Sequence, residues 1–214
     1  ITNRAELISS VPGGHRMLDT NYNKLVDRLY FADTGGYVWR LDLSENIGDS
    51  SAPSKLTKFA DLGDVNTVDS RKFYNEPDVA VMKINGKSVF VVSIGSGFRP
   101  HPLDSTLNDN FYILLDKSPY SDPDTTPILE GTLAAIEISG DIGSTSVSQP
   151  DGTITDATKN FKGWKVILPE SGEKSLSTAL GFDGVITFTT LIPDELRNNP
   201  DIDACDPPAT YGRF

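Results

Sequence analysis

Apolar residues along this chain either alternate with polar ones or gather in short runs, and no long stretch repeats them at the 3.6-residue period of a helix. The segments so marked are HRMLD (15–19), DRLYFAD (27–33), GYVWRLDL (36–43), KLTKFADL (55–62), EPDVAVMKI (76–84), KSVFVVSIG (87–95), NFYILLD (110–116), GTLAAIEI (131–138), GWKVILPE (163–170), KSLSTALGF (174–182) and VITFTTLI (185–192). Each is rich in Val, Ile, Phe, Tyr or Thr and bounded by Gly, Pro, Asn or Asp, the composition that suits a pleated, half-buried surface. Turn signals at Gly35-Gly36, Asn85-Gly86 and Asp183-Gly184 separate neighbours. The one helix candidate is the short PDELRN at 193–198. The pattern predicts an all-β protein.

The order of these segments repeats. HRMLD, DRLYFAD, GYVWRLDL and KLTKFADL read as one four-stranded unit from inner to outer, and PDVAVMKI, KSVFVVSIG, NFYILLD and GWKVILPE as a second. A third begins with STALGF and VITFTTLI and stops at TYGRF. Successive four-stranded antiparallel units are the signature of a β-propeller. The second unit carries an insertion at about 117–161, Pro/Ser/Thr/Asp-rich with one extra strand around Leu133 to Ile138, which reads as an exposed excursion. A ring needs about four to eight blades. The expectation is therefore a partial propeller of about three blades over 1–214, with VITFTTLIP an inner strand left unpaired or completed by residues beyond this sequence. The competing arrangement is a small β-sandwich complete in itself.

Charge narrows the function. The 214 residues carry 19 Lys and Arg against 30 Asp and Glu, a net charge of −11 that repels nucleic-acid phosphates. No apolar run approaches the roughly 18–20 residues that span a membrane. The opening ITNRAELISS has neither the charged nor the apolar region of a signal peptide, although a trimmed secreted segment reads the same way. The single cysteine, Cys205, cannot make an internal disulfide or a cysteine zinc site; it is either an inert thiol or half of a bridge to chain not present here.

The sharpest chemical signal lies in MLDTNYNKLVDRLYF (17–31). Asp19, Asn21 and Asn23 occupy positions 1, 3 and 5 of a calcium-type loop, Leu25 supplies a backbone carbonyl at position 7, and Asp27 falls at position 9. Alternate oxygens in a tight loop converge on one point, which suits a hard cation. Two departures predict modest affinity: Lys24 stands at position 6, where glycine normally makes the turn, and Tyr30 at position 12 replaces a bidentate Glu. An Asx-rich hairpin loop without metal is the alternative. Other motifs fail. IGSGFRP has Gly95 and Gly97 but no third glycine or following helix. His15 and His101 are isolated, with His101 in the rigid RPHPLD turn. Asp104, Asp109, Asp116, Asp122 and Asp124 read as a solvated acidic face, and Trp39 and Trp164 as packing residues in strands.

DRLYFADTGGYVWRLDL, preceded by the 19–27 loop, resembles the C-terminal propeller of the PilY family, the type IV pilus biogenesis factors and tip adhesins. FYNEPDVAVM, VSIGSGFRPHPLD with NDNFYILLDK, and GWKVILPESGEKSLSTALGFDGVITFTTLIP are similar to that family's segments in the same order, so the resemblance spans most of the chain. It implies a modified, quinoprotein-like propeller on a secreted protein at the cell surface or pilus tip, passing through the periplasm or outer membrane. It also implies a Ca2+ site at Asp19, Asn21, Asn23, Leu25 and Asp27, linked to control of pilus extension and retraction and so to twitching motility, adhesion and virulence. The implied partners are minor pilins of the tip and host or abiotic surfaces. The family's integrin-binding Arg-Gly-Asp tripeptide is absent from this sequence, so that activity does not transfer. A second class, a quinoprotein dehydrogenase propeller using calcium and a quinone, is suggested by GGYVWRLDL. It wants a vicinal cysteine pair that one cysteine cannot supply.

Overall fold

A computed structural model describes residues 6–44, 53–63, 70–84, 86–138 and 161–193, together with the main chain of 211–213. These residues form fourteen strands: β1 (Arg16–Leu18), β2 (Arg28–Ala32), β3 (Tyr37–Asp42), β4 (Lys55–Asp61), β5 (Asp78–Ile84), β6 (Lys87–Gly95), β7 (Asn110–Asp116), β8 (Ile128–Leu129), β9 (Ala134–Glu137), β10 (Gly163–Ile167), β11 (Leu180–Phe182), β12 (Val185–Thr187), β13 (Thr190–Ile192) and β14 (Tyr211–Arg213). The protein is all-β, as the alternation predicts. Residues 194–198 of the candidate helix, most of the insertion's second half and Cys205 lie outside the described residues.

The first two expected units are present strand for strand. β1 to β4 form an antiparallel ladder in chain order, and β5, β6, β7 and β10 form a second. Each sheet gains a fifth strand from the insertion: β8 runs parallel to β4, and β9 parallel to β10. Residues 117–138 are therefore not simply an exposed excursion, because Ile128 and Leu133 are buried in the main core. The third unit departs from expectation more clearly. VITFTTLI divides, with β12 pairing β11 across the Asp183-Gly184 turn and β13 pairing β14. Both turn residues have positive φ (49° and 78°), the type I′ geometry that matches strand twist. The strand expected to await a neighbour from elsewhere finds one in 211–213 of the same chain. No sheet among the described residues closes on itself, and they do not demonstrate a ring.

The sheets stack in chain order because β6 and β7 are apolar on both faces. Phe90, Val92, Ile94, Tyr112 and Leu114 pack against Tyr30, Val38, Phe59 and Ala60 of the first sheet. The intervening Val89, Val91, Phe111 and Leu115 face a second cluster that contains Trp164, Val166 and Ala179, with Ile186 and Phe188 packed on it. The Phe111 and Phe188 rings stack at 3.8 Å and 6°. A continuous apolar run such as SVFVV thus reports a central sheet covered on both sides, where each large side chain contributes about 1.5–3 kcal/mol of burial. Trp39 and Trp164 are both buried packing residues.

Buried charge ties the first sheet to the second. Arg40 is fully enclosed and donates to Asp42 at 2.9 Å, to Asp116 at 2.8 Å and to the carbonyls of Ser118 (3.0 Å) and Ser121 (2.6 Å). Tyr30 donates its hydroxyl to Asp116 as well. Arg28 pairs with Asp42 at 2.6 Å and donates to the Pro119 carbonyl. On the other side, the Tyr112 hydroxyl donates to Glu130 at 2.7 Å while Arg71 donates to Tyr112 at 3.0 Å. Burial, reinforced by the neighbouring carboxylates, pushes both the Tyr30 and Tyr112 hydroxyls upward, so they remain donors.

Candidate metal centre

The 19–27 loop joins β1 to β2. Leu18 and Arg28 are the last paired residues of that ladder, and the Asp27 amide donates to the Leu18 carbonyl at 3.0 Å to close the loop's mouth. Inside this frame the Asx side chains turn back on the backbone. Asp19 accepts from the amides of Asn23 (3.2 Å) and Lys24 (2.7 Å), one on each carboxylate oxygen. Asn21 accepts from Asn23 at 3.0 Å, and Asn23 from Leu25 at 2.8 Å. Asp27 reaches across the mouth to the amides of Thr20 (2.9 Å) and Asn21 (3.2 Å) and to the Thr20 hydroxyl (2.8 Å). The structure thus links Asp19, Asn21, Asn23 and Asp27 in one short loop, with Leu25 entering through its amide.

The loop holds this shape at a cost. Tyr22 and Lys24 have φ of 63° and 71°, the left-handed region that costs an ordinary L residue about 1–2 kcal/mol. Lys24 therefore adopts the backbone that glycine takes more cheaply at the same loop position. The two carboxylates and two amide oxygens each accept at least one N–H and retain further lone pairs, since an oxygen of either kind has two. Neither Asp19 nor Asp27 forms an ion pair among the described residues. Arg28, the chain neighbour of Asp27, spends its charge on Asp42 and Pro119 inside the fold. Two uncompensated carboxylates with neutral oxygens between them fit a hard divalent cation, and water can complete its shell. Among the described residues no three His, Cys, Asp or Glu side chains group closely enough to hold a metal by themselves, so a cation here depends on the Asn and main-chain oxygens.

Other residues singled out by their chemistry resolve differently. His15 is exposed, and His101 is exposed with its ring 5.0 Å from Phe98. The acidic face is not uniformly solvated: Asp109 and Asp116 are buried, whereas Asp104 and Asp124 accept from Thr106 and Thr126 in local turns. Those turns hold the Asp104 and Asp124 carboxyls below their ordinary range. Gly95 and Gly97 serve close packing, because a Cβ on either would fall within 2.2 Å of Ser175 or 2.9 Å of Lys174. Sequence reasoning passed over Asp33, which is fully buried and accepts from the Trp39 indole at 2.8 Å and the Gly35 and Tyr37 amides at 2.9 and 3.1 Å. Its place just before Gly35-Gly36 was the only signal.

The described residues define an all-β protein whose two five-stranded sheets, antiparallel except for one parallel strand each, pack together, with an Asx-rich loop at the start of the first. That architecture is similar to the crystal structure of the Pseudomonas aeruginosa PilY1 C-terminal domain, with a TM-score of 0.64 and 18% sequence identity. The match covers 84% of this chain and 44% of that one, so the chain spans less than half of the domain it resembles. The likeness establishes a shared fold and meets, at that level, the resemblance carried by the ordered segments. No family model matches the chain, and no curated protein sequence does.

Proposed function

We propose that this chain is a calcium-binding β-propeller module of a type IV pilus assembly or tip-adhesin protein, and that it is not an enzyme. The observation that carries the reading is the fold shared with the PilY1 C-terminal domain over 84% of the chain. The 19–27 loop supports the calcium part of the reading, because both its carboxylates accept from groups of the loop itself and have no cationic partner among the described residues. Asp19, Asn21, Asn23 and Asp27 would hold the ion through side-chain oxygens and Leu25 through its carbonyl. Bound calcium would supply the positive charge that lets Asp19 and Asp27 share one small loop. The protein's own residues do the rest: Asp27 couples the loop to the first residue of β2, and its main chain pairs with Leu18 and Leu43. Ion occupancy is thereby felt by the β1–β2–β3 ladder rather than by the loop alone. Such a module belongs at the cell surface or pilus tip, where it would engage minor pilins and host or abiotic surfaces and bias pilus extension against retraction.

Isothermal titration of calcium into the chain and into Asp27→Ala tests the site. Loss of one of two carboxylates should weaken binding at least tenfold, and equal affinity in the two proteins overturns the assignment. In piliated cells, the same substitution in the full-length protein should impair twitching while the protein still accumulates. Normal twitching despite lost calcium binding removes the regulatory role.

A further inference from the structure

Lys174 and Asp109 are both buried, and each has hydrogen-bonding capacity that no group among the described residues fills. Lys174 is 1% exposed; its ammonium donates to the Gly172 carbonyl at 2.7 Å and to the Asp104 carbonyl. That uses two of its three N–H groups. Asp109 is 3% exposed; its Oδ1 accepts from the Ser96 hydroxyl at 2.7 Å, whereas its Oδ2 is buried without a hydrogen-bond partner among the described residues. Ser96 brings the two residues together, its hydroxyl donating to Asp109 and its carbonyl accepting the amide of Ser175, next to Lys174; the two heads form no direct ion pair among the described residues. The other charged groups around Asp109 are committed or offset. Arg71 is taken by Tyr112, Asn108 and Glu130, and Asp104 by Thr106.

We propose that Lys174 and Asp109 bind one internal water between them, forming a solvent-bridged ion pair that latches the second sheet to β13. The two opposite charges select the ligand. A cation would be repelled by the Lys174 ammonium and an anion by the Asp109 carboxylate, while water donates to Oδ2 and accepts the third N–H of Lys174. A buried water typically makes about three hydrogen bonds to groups otherwise left unsatisfied. The latch sits where separate segments of the chain are joined by main-chain hydrogen bonds. The Ser175 amide donates to the Ser96 carbonyl at 3.0 Å, and Lys174 exchanges both main-chain hydrogen bonds with Leu191 of β13, at 2.9 and 2.7 Å. Gly95 and Gly97 allow that approach. Lys174 therefore joins the β6–β7 connection, the turn at Gly172 and β13 through one side chain and its own backbone.

A crystal structure of the chain at a resolution that shows ordered solvent tests the assignment directly. Density for a water within hydrogen-bond distance of both Lys174 Nζ and Asp109 Oδ2 is expected; a direct contact between the heads, a protein donor on Oδ2, or an empty gap overturns it. A double-mutant cycle tests the pairing in solution through denaturant unfolding. Lys174→Met should lower the folding equilibrium constant at least tenfold more in the native background than in Asp109→Asn, since the bridge couples the two charges. Equal losses in both backgrounds overturn the latch. If Lys174→Met does not fold, the crystallographic result decides alone.

Discussion

Replacing Arg40 with Met should destabilise the fold by about 3–5 kcal/mol, the cost of breaking a buried ion pair from one side. The figure follows from what the guanidinium leaves behind. Arg40 is fully buried, and its attraction to Asp116 and Asp42 outweighs the burial penalty, holding it above its ordinary range. Without it, Asp116, whose side chain is 4% exposed, keeps the Tyr30 hydroxyl and the Ser118 amide as its donors among the described residues. Asp42 keeps Arg28 and is itself 23% exposed, so most of the cost falls on Asp116. The carbonyls of Ser118 and Ser121 lie in a turn that reaches water, and they add little. At about 2–4 °C per kcal/mol for a chain of this length, the melting temperature should fall by about 6–20 °C. Thermal and urea unfolding of Arg40→Met, Asp116→Asn and the double variant provide the assay, with the double variant less damaged than the sum of the singles. Lys162→Met, which removes the solvent-exposed Lys162–Asp124 contact at 3.0 Å, should cost no more than about 1 kcal/mol. An Arg40→Met loss below about 1 kcal/mol would refute the reasoning.

At 100-fold excess over its dissociation constant, calcium should stabilise the fold by about 2.7 kcal/mol. Chelation should then lower the melting temperature and raise hydrogen exchange across 18–30, with no change over 163–167; uniform loss of protection would contradict a local site. Lys24→Gly should leave stability unchanged or slightly raised, because glycine's extra unfolded-state entropy offsets relief at φ 71°, whereas Lys24→Val should destabilise the fold in thermal unfolding, because a β-branched residue fits positive φ worse than lysine does. Burial raises the carboxyls of Asp33 and Asp109 above the ordinary 3.8, opposed by hydrogen bonds from Trp39 and Ser96 respectively. A raised acid favours the fold while protonated, so this contribution is present below pH 3.8 and is lost as pH rises through the folded values. Denaturation at several pH values should show that decline, and Asp109→Asn should flatten it; an unchanged slope would exclude Asp109 as a source.

The local chemistry of the chain by itself determined most of the longer strands, the first two four-stranded units and the 19–27 loop. Period-2 alternation, β-branched content and turns such as Asp183-Gly184 act between near neighbours, so they are readable without knowing what packs where. Asp19, Asn21, Asn23 and Asp27 belong to the same class, since their hydrogen bonds span at most seven residues. Tertiary structure alone decided what lies far apart in sequence. Arg40 meets Asp116 across 76 positions, and Lys174 meets the Asp104 carbonyl across 70; no local period marks a charged residue for burial rather than solvent. The acidic tract was misread for that reason, because Asp109 and Asp116 look like Asp122 until the sheets pack. VITFTTLI reads as one strand, yet Phe188 is drawn onto Phe111 and Leu191 onto Lys174, so the ladder breaks between Thr187 and Thr190. β8 and β9 join their sheets in parallel for the same reason: pairing chosen by a distant edge leaves no mark on the residues that accept it.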